Sequence, residues 1–334
     1  PALEYYLSQA AGLMASPAAL GTEGIVTNPV GSGPYVLDPA QSVAQQQYVF
    51  TAREGYWNPE LQKFAGVTFK VLTDPTAMVN AMATGEIDAG ILSPATFEQA
   101  QGSGATILEY TTDWAGLLLF DRDGTKIPAL KEVKVRQALN HAFDRATLLA
   151  SFNAGKGEVT GQVFGPESGA FIPALDEEYP YDVAKAKALL AEAGYADGFE
   201  LPLPVLPGQE ALVTAITQQL SEIGITAKAA PVPVADFYAN VSKQDYPVSN
   251  FQLFQSLAWV NVNQMLVPKT LWNPFNSQTP ELDALISDLQ NAGADSSSQA
   301  QAVNHERCAI ALLLDHFHQC RCQNRLATTR RCAD

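Results

Sequence analysis

Cysteine is almost missing from this chain: there are four in 334 residues, and Cys308, Cys320, Cys322 and Cys332 all follow residue 304. A body without cysteine has no disulfide framework and no thiolate chemistry, so core burial has to hold it together. Histidine is nearly as scarce, with His141 alone before residue 304 and His305, His316 and His318 after it. Positive charge is also short, 20 Lys and Arg against 35 Asp and Glu for a net of −15. That excludes a nucleic-acid partner, because binding a phosphate backbone needs clustered cations to release counterions. No run approaches the roughly 18 to 20 apolar residues that span a bilayer, and Pro1 to Leu20 lacks the basic start and apolar core of an export signal. The chain opens on Pro1 rather than Met, as a mature, cut or fragmentary polypeptide would, so localisation has to be read from elsewhere.

Enzyme motifs are lacking as well. There is no Gly-x-Ser-x-Gly elbow, no Gly-x-x-x-x-Gly-Lys-Ser/Thr loop, no His-Glu-x-x-His and no Gly-x-Gly-x-x-Gly between a strand and a helix. Gly31-Ser32-Gly33-Pro34 precedes a strand, the wrong context for a phosphate cradle. Asp121-Arg122-Asp123-Gly124 lacks the later ligands of a calcium loop and reads as a turn. A catalytic triad in the body would have to use His141, which lies off the apolar stripe of its helix and reads as a solvated position. These absences disfavour catalysis and imply no cofactor; a carboxylate pair from distant segments is the route left open.

What is present is alternation of strands and helices on a length that suits two lobes, with 47% hydrophobic residues. Tyr35 to Leu37 and Gln47 to Ala52 read as a hairpin. Val67 to Leu72 reads as a strand leading to a helix capped by Asp74 with Pro75 at its first position. Ile87 to Leu92 and Ala105 to Tyr110 read as further strands around a helix opening at Ser93-Pro94, a β-α-β-α-β unit. Val135, Ala138, Leu139, Ala142 and Phe143 form a helical stripe. Asp182 caps a helix ending at Gly194. Then strand Phe199 to Leu206, helix Gln209 to Ile223, strand Ile225 to Val232, helix Val234 to Ser242 and strand Asn250 to Leu257 predict parallel pairing, before a last helix over Pro280 to Gln290. Two α/β lobes meeting near Asp113 to Phe120, with a cleft between them, are the expected architecture.

The tail departs from this composition. Residues 1 to 304 carry 15 basic and 32 acidic residues, and the last segment turns abruptly to Cys, His and Arg after the Asp-Ser-Ser-Ser of 295 to 298. His316, His318, Cys320 and Cys322 alternate and are zinc-ligand types, but their spacing leaves no turn between ligand pairs. Translation in a shifted frame after about Val303 is the preferred reading.

The better functional lead is aromatic and amide side chains in loops. Trp259 just beyond the strand ending at Leu257, with Asn261 and Asn263, would give a crevice one apolar wall and two neutral amides. Trp114 at the lobe junction and Trp272 in Leu271-Trp272-Asn273-Pro274-Phe275-Asn276 are further candidates, and all three tryptophans are also readable as core or lobe-packing residues.

Several blocks carry a resemblance. Gly31-Ser32-Gly33-Pro34-Tyr35, Tyr56-Trp57-Asn58, Ala77 through Ala89 (AMVNAMATGEIDA), Val133 through Leu139 (VKVRQAL), Asp144-Arg145 and Tyr181 through Tyr195 follow in order the extracytoplasmic solute-binding proteins of peptide-type ABC importers, family 5, across about residues 28 to 292. The resemblance implies a type II periplasmic-binding-protein fold, two α/β lobes closing on a ligand cleft. Residues 1–112 would be the C-terminal part of an incomplete first lobe, 113–303 the second lobe and 304–334 the anomalous tail. It implies a monomeric receptor, periplasmic or lipid-anchored outside the membrane, that captures a peptide or similar small solute and hands it to permease transmembrane subunits. Phe164 (in Phe164-Gly165-Pro166) and Ser93 (in Leu92-Ser93-Pro94) are placed near the cleft. In dipeptide binders of this family an Asp after the loop Trp pairs with the peptide amino terminus and a second-lobe Arg with the carboxylate. Here Trp259-Val260-Asn261-Val262-Asn263 has no Asp and Leu206 through Leu220 no Arg, which suits a peptide held by its backbone or an uncharged solute. A cleft hydrolase using an Asp/Glu pair and a non-functional fragment are the alternatives.

Overall fold

The computed structural model describes residues 3–8, 13–109, 113–166, 168 and 170–291, so the readings made for the Cys- and His-rich tail lie outside the described residues. The chain divides into two compact units, one from Ala2 to Glu109 and the other from Tyr110 onward.

The first unit opens with helix α1 (Leu3–Ser8) and is built on an antiparallel sheet of β1 (Tyr35–Leu37), β2 (Gln47–Ala52) and β3 (Gly66–Lys70) in that order. The hairpin pairs Tyr35 with Ala52 and Leu37 with Phe50, as the alternation expected. The same face continues into β3 through Phe50 opposite Val67 and Tyr48 opposite Phe69. Helix α2 (Pro75–Ala83) follows, its first turn satisfied by Asp74, which accepts the Ala77 N–H at 2.7 Å, with Pro75 supplying the preset φ of a first helical position. Helix α3 (Phe97–Gly102) comes next. The strands expected over 87–92 and 105–110 do not form among the described residues. A strand exists only by pairing, and neither apolar run finds a ladder: Ile91 is 91% exposed and Leu108 83%.

The second unit begins with β4 (Asp113–Leu119), followed by α4 (Val133–His141), α5 (Arg145–Phe152), α6 (Val183–Glu192), β5 (Glu200–Val205), α7 (Glu210–Glu222), β6 (Thr226–Pro231), α8 (Val234–Ser242), β7 (Val248–Phe254), α9 (Ala258–Met265) and α10 (Pro280–Asn291). β5 and β6 pair in parallel, Glu200 opposite Thr226 through Val205 opposite Pro231, the arrangement a strand-helix-strand crossover dictates. β7 corrects the expectation of a third parallel strand. It pairs antiparallel with β4 from Asp113 opposite Phe254 to Leu119 opposite Val248, so the stretch read as a lobe junction is itself a strand.

Between these elements lies one apolar core. The α4 stripe supplies Val135, Ala138, Leu139 and Ala142, α6 supplies Ala186 and Leu190, β5 supplies Leu201 and Leu203, and α7 supplies Val213, Ile216 and Leu220. Each fully buried large aliphatic contributes about 1.5–3 kcal/mol relative to exposure. His141 belongs with this interior. It is buried, not solvated, because residues 179–182 fold over the end of α4: its Nδ1 lies 2.7 Å from the Pro180 carbonyl, its own carbonyl accepts the Asp182 N–H at 2.9 Å, and its ring meets Tyr179 edge-on at 5.4 Å. Facing a carbonyl, Nδ1 carries the proton. Arg145 holds the same segment by donating to the Tyr179 carbonyl at 3.1 Å.

Candidate functional site

In the antiparallel ladder of β4 and β7, side chains alternate between two faces. Trp114, Gly116 and Leu118 share one face with Phe251, and Asp113, Ala115 and Leu117 share the other with Asn250 and Gln252. The two faces have different chemistry.

The first is closed by rings. Phe251 lies 4.5 Å from Trp272 and 5.4 Å from Phe237, centre to centre, and Phe120, Tyr238 and Tyr246 extend the cluster. The loop carrying Trp272 is fixed by Asn273, fully buried, whose Nδ2 donates to the Leu266 carbonyl at 2.9 Å and whose Oδ1 accepts from Ser277 N at 3.1 Å and Arg122 Nη2 at 3.3 Å. Burial, with Arg136 nearby, pulls the Arg122 guanidinium down to about 10, so it remains charged at neutral pH. The turn that contains it closes on Asp121, whose buried carboxylate accepts the N–H groups of Thr125, Lys126 and Ile127 at 2.7, 2.7 and 2.8 Å.

The second face opens into a groove of about 220 Å³ lined by Ala115, Phe152, Gly208, Gln209, Ala211, Leu212, Asn250, Phe251 and Gln252. Its floor is the ladder and its wall is the start of α7, which the β5–α7 turn delivers at the carboxyl end of a parallel strand, where ligands of open α/β sheets bind. Gly208 adopts φ +85°, a left-handed turn that brings the chain from β5 into the helix. Gln209 Oε1 accepts from Asn250 Nδ2 at 3.5 Å, and two residues along β7 Gln252 Nε2 donates to Asp113 Oδ2 at 3.1 Å. The lining thus offers apolar surface, three side-chain amides and one adjoining carboxylate. Among the described residues no group of three or more His, Cys, Asp or Glu could hold a metal.

The residues singled out in the sequence fall elsewhere. Trp114 is half-buried on the ring-bearing face, its Nε1 without a hydrogen-bond partner. Trp259, Asn261 and Asn263 are in helix α9 rather than a loop; Trp259 and Asn261 are buried, and Asn261 Oδ1 has no partner. Trp272 is buried in the aromatic cluster. Phe164 is buried beside Gly165, where the Gln255 amide packs so closely that a Cβ would lie 2.7 Å from Oε1. Ser93 belongs to the first unit, where its carbonyl and hydroxyl both engage Thr96 Oγ1. None of them lines the groove. The residues that do were signalled in the sequence only by two amides, Asn250 and Gln252, alternating along strand β7.

This two-unit α/β framework is the type II periplasmic-binding-protein fold. It overlays, for instance, the MoaA binding protein of A. tumefaciens R10 solved with mannopinic acid (TM-score 0.72, 21% identity, 95% of this chain and 65% of that one) and DppA of Helicobacter pylori solved with a peptide (TM-score 0.69, 18% identity, 88% and 57%). At the level of sequence, residues 1–270 match the family model described as bacterial extracellular solute-binding proteins, family 5 Middle, and the chain belongs to that family. Among curated relatives, the glutathione-binding protein GsiB of Escherichia coli K12 is 32% identical over 262 residues, covering 74% of this chain and 48% of GsiB. The chain therefore spans about half the length of the curated relatives it matches.

Proposed function

We propose that this protein is the solute-binding component of an ABC importer, capturing a peptide or similar small solute outside the cytoplasmic membrane and passing it to membrane permease subunits. The observation that carries the reading is the amide-lined groove at the carboxyl end of β5, set in a chain of this family. A binding site needs apolar area for affinity and a few placed polar groups for orientation, and this groove supplies both. Peptide and glutathione binding by relatives supports the solute class. Residues 1–112 are read as part of one lobe and 113–303 as the other, and the groove lies wholly within the second. In this reading the protein releases its solute unchanged, consistent with a family of receptors rather than catalysts.

Native mass spectrometry of the protein purified from its own source tests this. A mass increment that dissociates as an intact peptide or small solute supports the receptor; a candidate solute that is converted to product overturns it in favour of a hydrolase.

A further inference from the structure

The apolar part of the groove is unevenly built. One large ring stands in it, Phe152, the last residue of α5, a helix that buries none of its residues. The chain turns away directly beyond that ring: the N–H groups of Asn153 and Gly155 both donate to the Leu149 carbonyl, at 3.0 and 3.1 Å, and Ala154 and Gly155 take left-handed φ values of +50° and +72°. That conformation is unfavourable for alanine, so backbone strain is held at the rim of the groove. The result is a phenyl ring 36% exposed on a fixed helix end. The residues around it are small. Ala115 on β4 and Ala211 on α7 are exposed and end at Cβ, and a Cβ added at Gly208 would meet nothing within 4 Å. Leu212 adds bulk, whereas the Phe251 ring is engaged with Trp272 and Phe237 on the other face of the ladder. No Asp, Glu, Lys, Arg or His lines the groove.

We infer that the groove is a side-chain slot selecting peptides that carry one phenyl-sized apolar side chain, with Phe152 its specificity determinant and Ala115, Ala211 and Gly208 the small residues that leave it room. Size sets the class: an apolar cavity of about 150 Å³ takes a benzene ring. The 220 Å³ here therefore accommodates one such ring with the backbone that carries it, and an indole overfills it. A phenyl group entering the slot leaves water for the Phe152 ring and Leu212. A carboxylate side chain of similar length would lose its hydration and meet no cation. The inference rests on the groove being the solute site.

Isothermal titration with tripeptides of identical free ends tests this: trialanine, its three single-phenylalanine isomers, and the tryptophan and glutamate counterparts of the best isomer. That isomer is expected to bind about tenfold tighter than trialanine, and the tryptophan and glutamate peptides more weakly than it. Two variants, checked for folding by circular dichroism, place the effect: Phe152→Ala removes the ring, and Ala115→Leu, at an exposed strand position, fills the space before it. Each is expected to shrink the ratio of phenylalanine peptide to trialanine affinity to about threefold or less. Equal binding of trialanine and every phenylalanine isomer, preference for the glutamate or tryptophan peptide, or a ratio that survives both variants overturns the slot and leaves the receptor reading standing. Should either variant misfold, the other variant and the parent protein's own ranking still decide the matter. Failure of every tripeptide to bind overturns the peptide-receptor reading itself, and this inference with it.

Discussion

His141 is buried at the end of α4, where its Nδ1 faces the Pro180 carbonyl at 2.7 Å. Burial, opposed by its bond to Pro180 and aided by Lys185, holds the imidazole below its ordinary value near 6.5. The native state therefore binds this proton less readily than the unfolded chain, and its contribution to stability is present above about pH 6.5 and lost as pH falls through that value toward the folded one. Urea midpoints should decrease between about pH 7 and pH 5. In His141→Gln that slope should flatten, with about 1–3 kcal/mol less stability at neutral pH from the disturbed Pro180 contact. Asp121 acts through the backbone it ties together. Three backbone N–H groups converge on its carboxylate, so Asp121→Ala should cost about 2–4 kcal/mol by denaturant unfolding, and Asp121→Asn less, because one amide oxygen still accepts.

Two glycines in the same part of the second unit separate local strain from contact. Gly198 has φ +74° and an added Cβ would lie 1.8 Å from the Gly224 carbonyl oxygen, just where the parallel pair begins. Gly208 has φ +85° with open space around it. Gly208→Ala should cost about 1 kcal/mol of backbone strain and Gly198→Ala more than about 3, enough to lower soluble yield; thermal melts of the two variants would compare them directly. Elements governed by local chemistry were legible in the sequence. The hairpin β1–β2, the Asp74 and Asp182 caps and α8 over Val234 to Ser242 all follow from spacing, turn residues and periodicity. What failed was non-local. Whether Ile87 to Leu92 becomes a strand depends on a partner, and whether β7 runs parallel depends on β4 joining it from more than a hundred residues away, neither of which periodicity encodes. The groove was hidden for the same reason: Gln209, Asn250 and Asp113 come together only after the ladder and the β5–α7 turn have formed, whereas a tryptophan advertises itself in any loop.

At the scale of the whole molecule, a protein gains stability by mass action from anything that binds its native state alone. A solute at about one hundred times its dissociation constant should add about 2.7 kcal/mol, seen as a concentration-dependent rise in melting temperature, while a solute that the groove rejects should leave the melt unmoved. Tryptophan placement gives the means of following such changes. Trp57, 77% exposed, is the first unit's one indole, and the second unit holds the other three, with Trp259 9% and Trp272 8% exposed. Iodide in solution will quench the first and scarcely reach the last two, and their emission will lie to the blue of it. The two buried indoles thus give the second unit its own optical label, and their shift to the red on meeting water follows the unfolding of that unit without an attached dye.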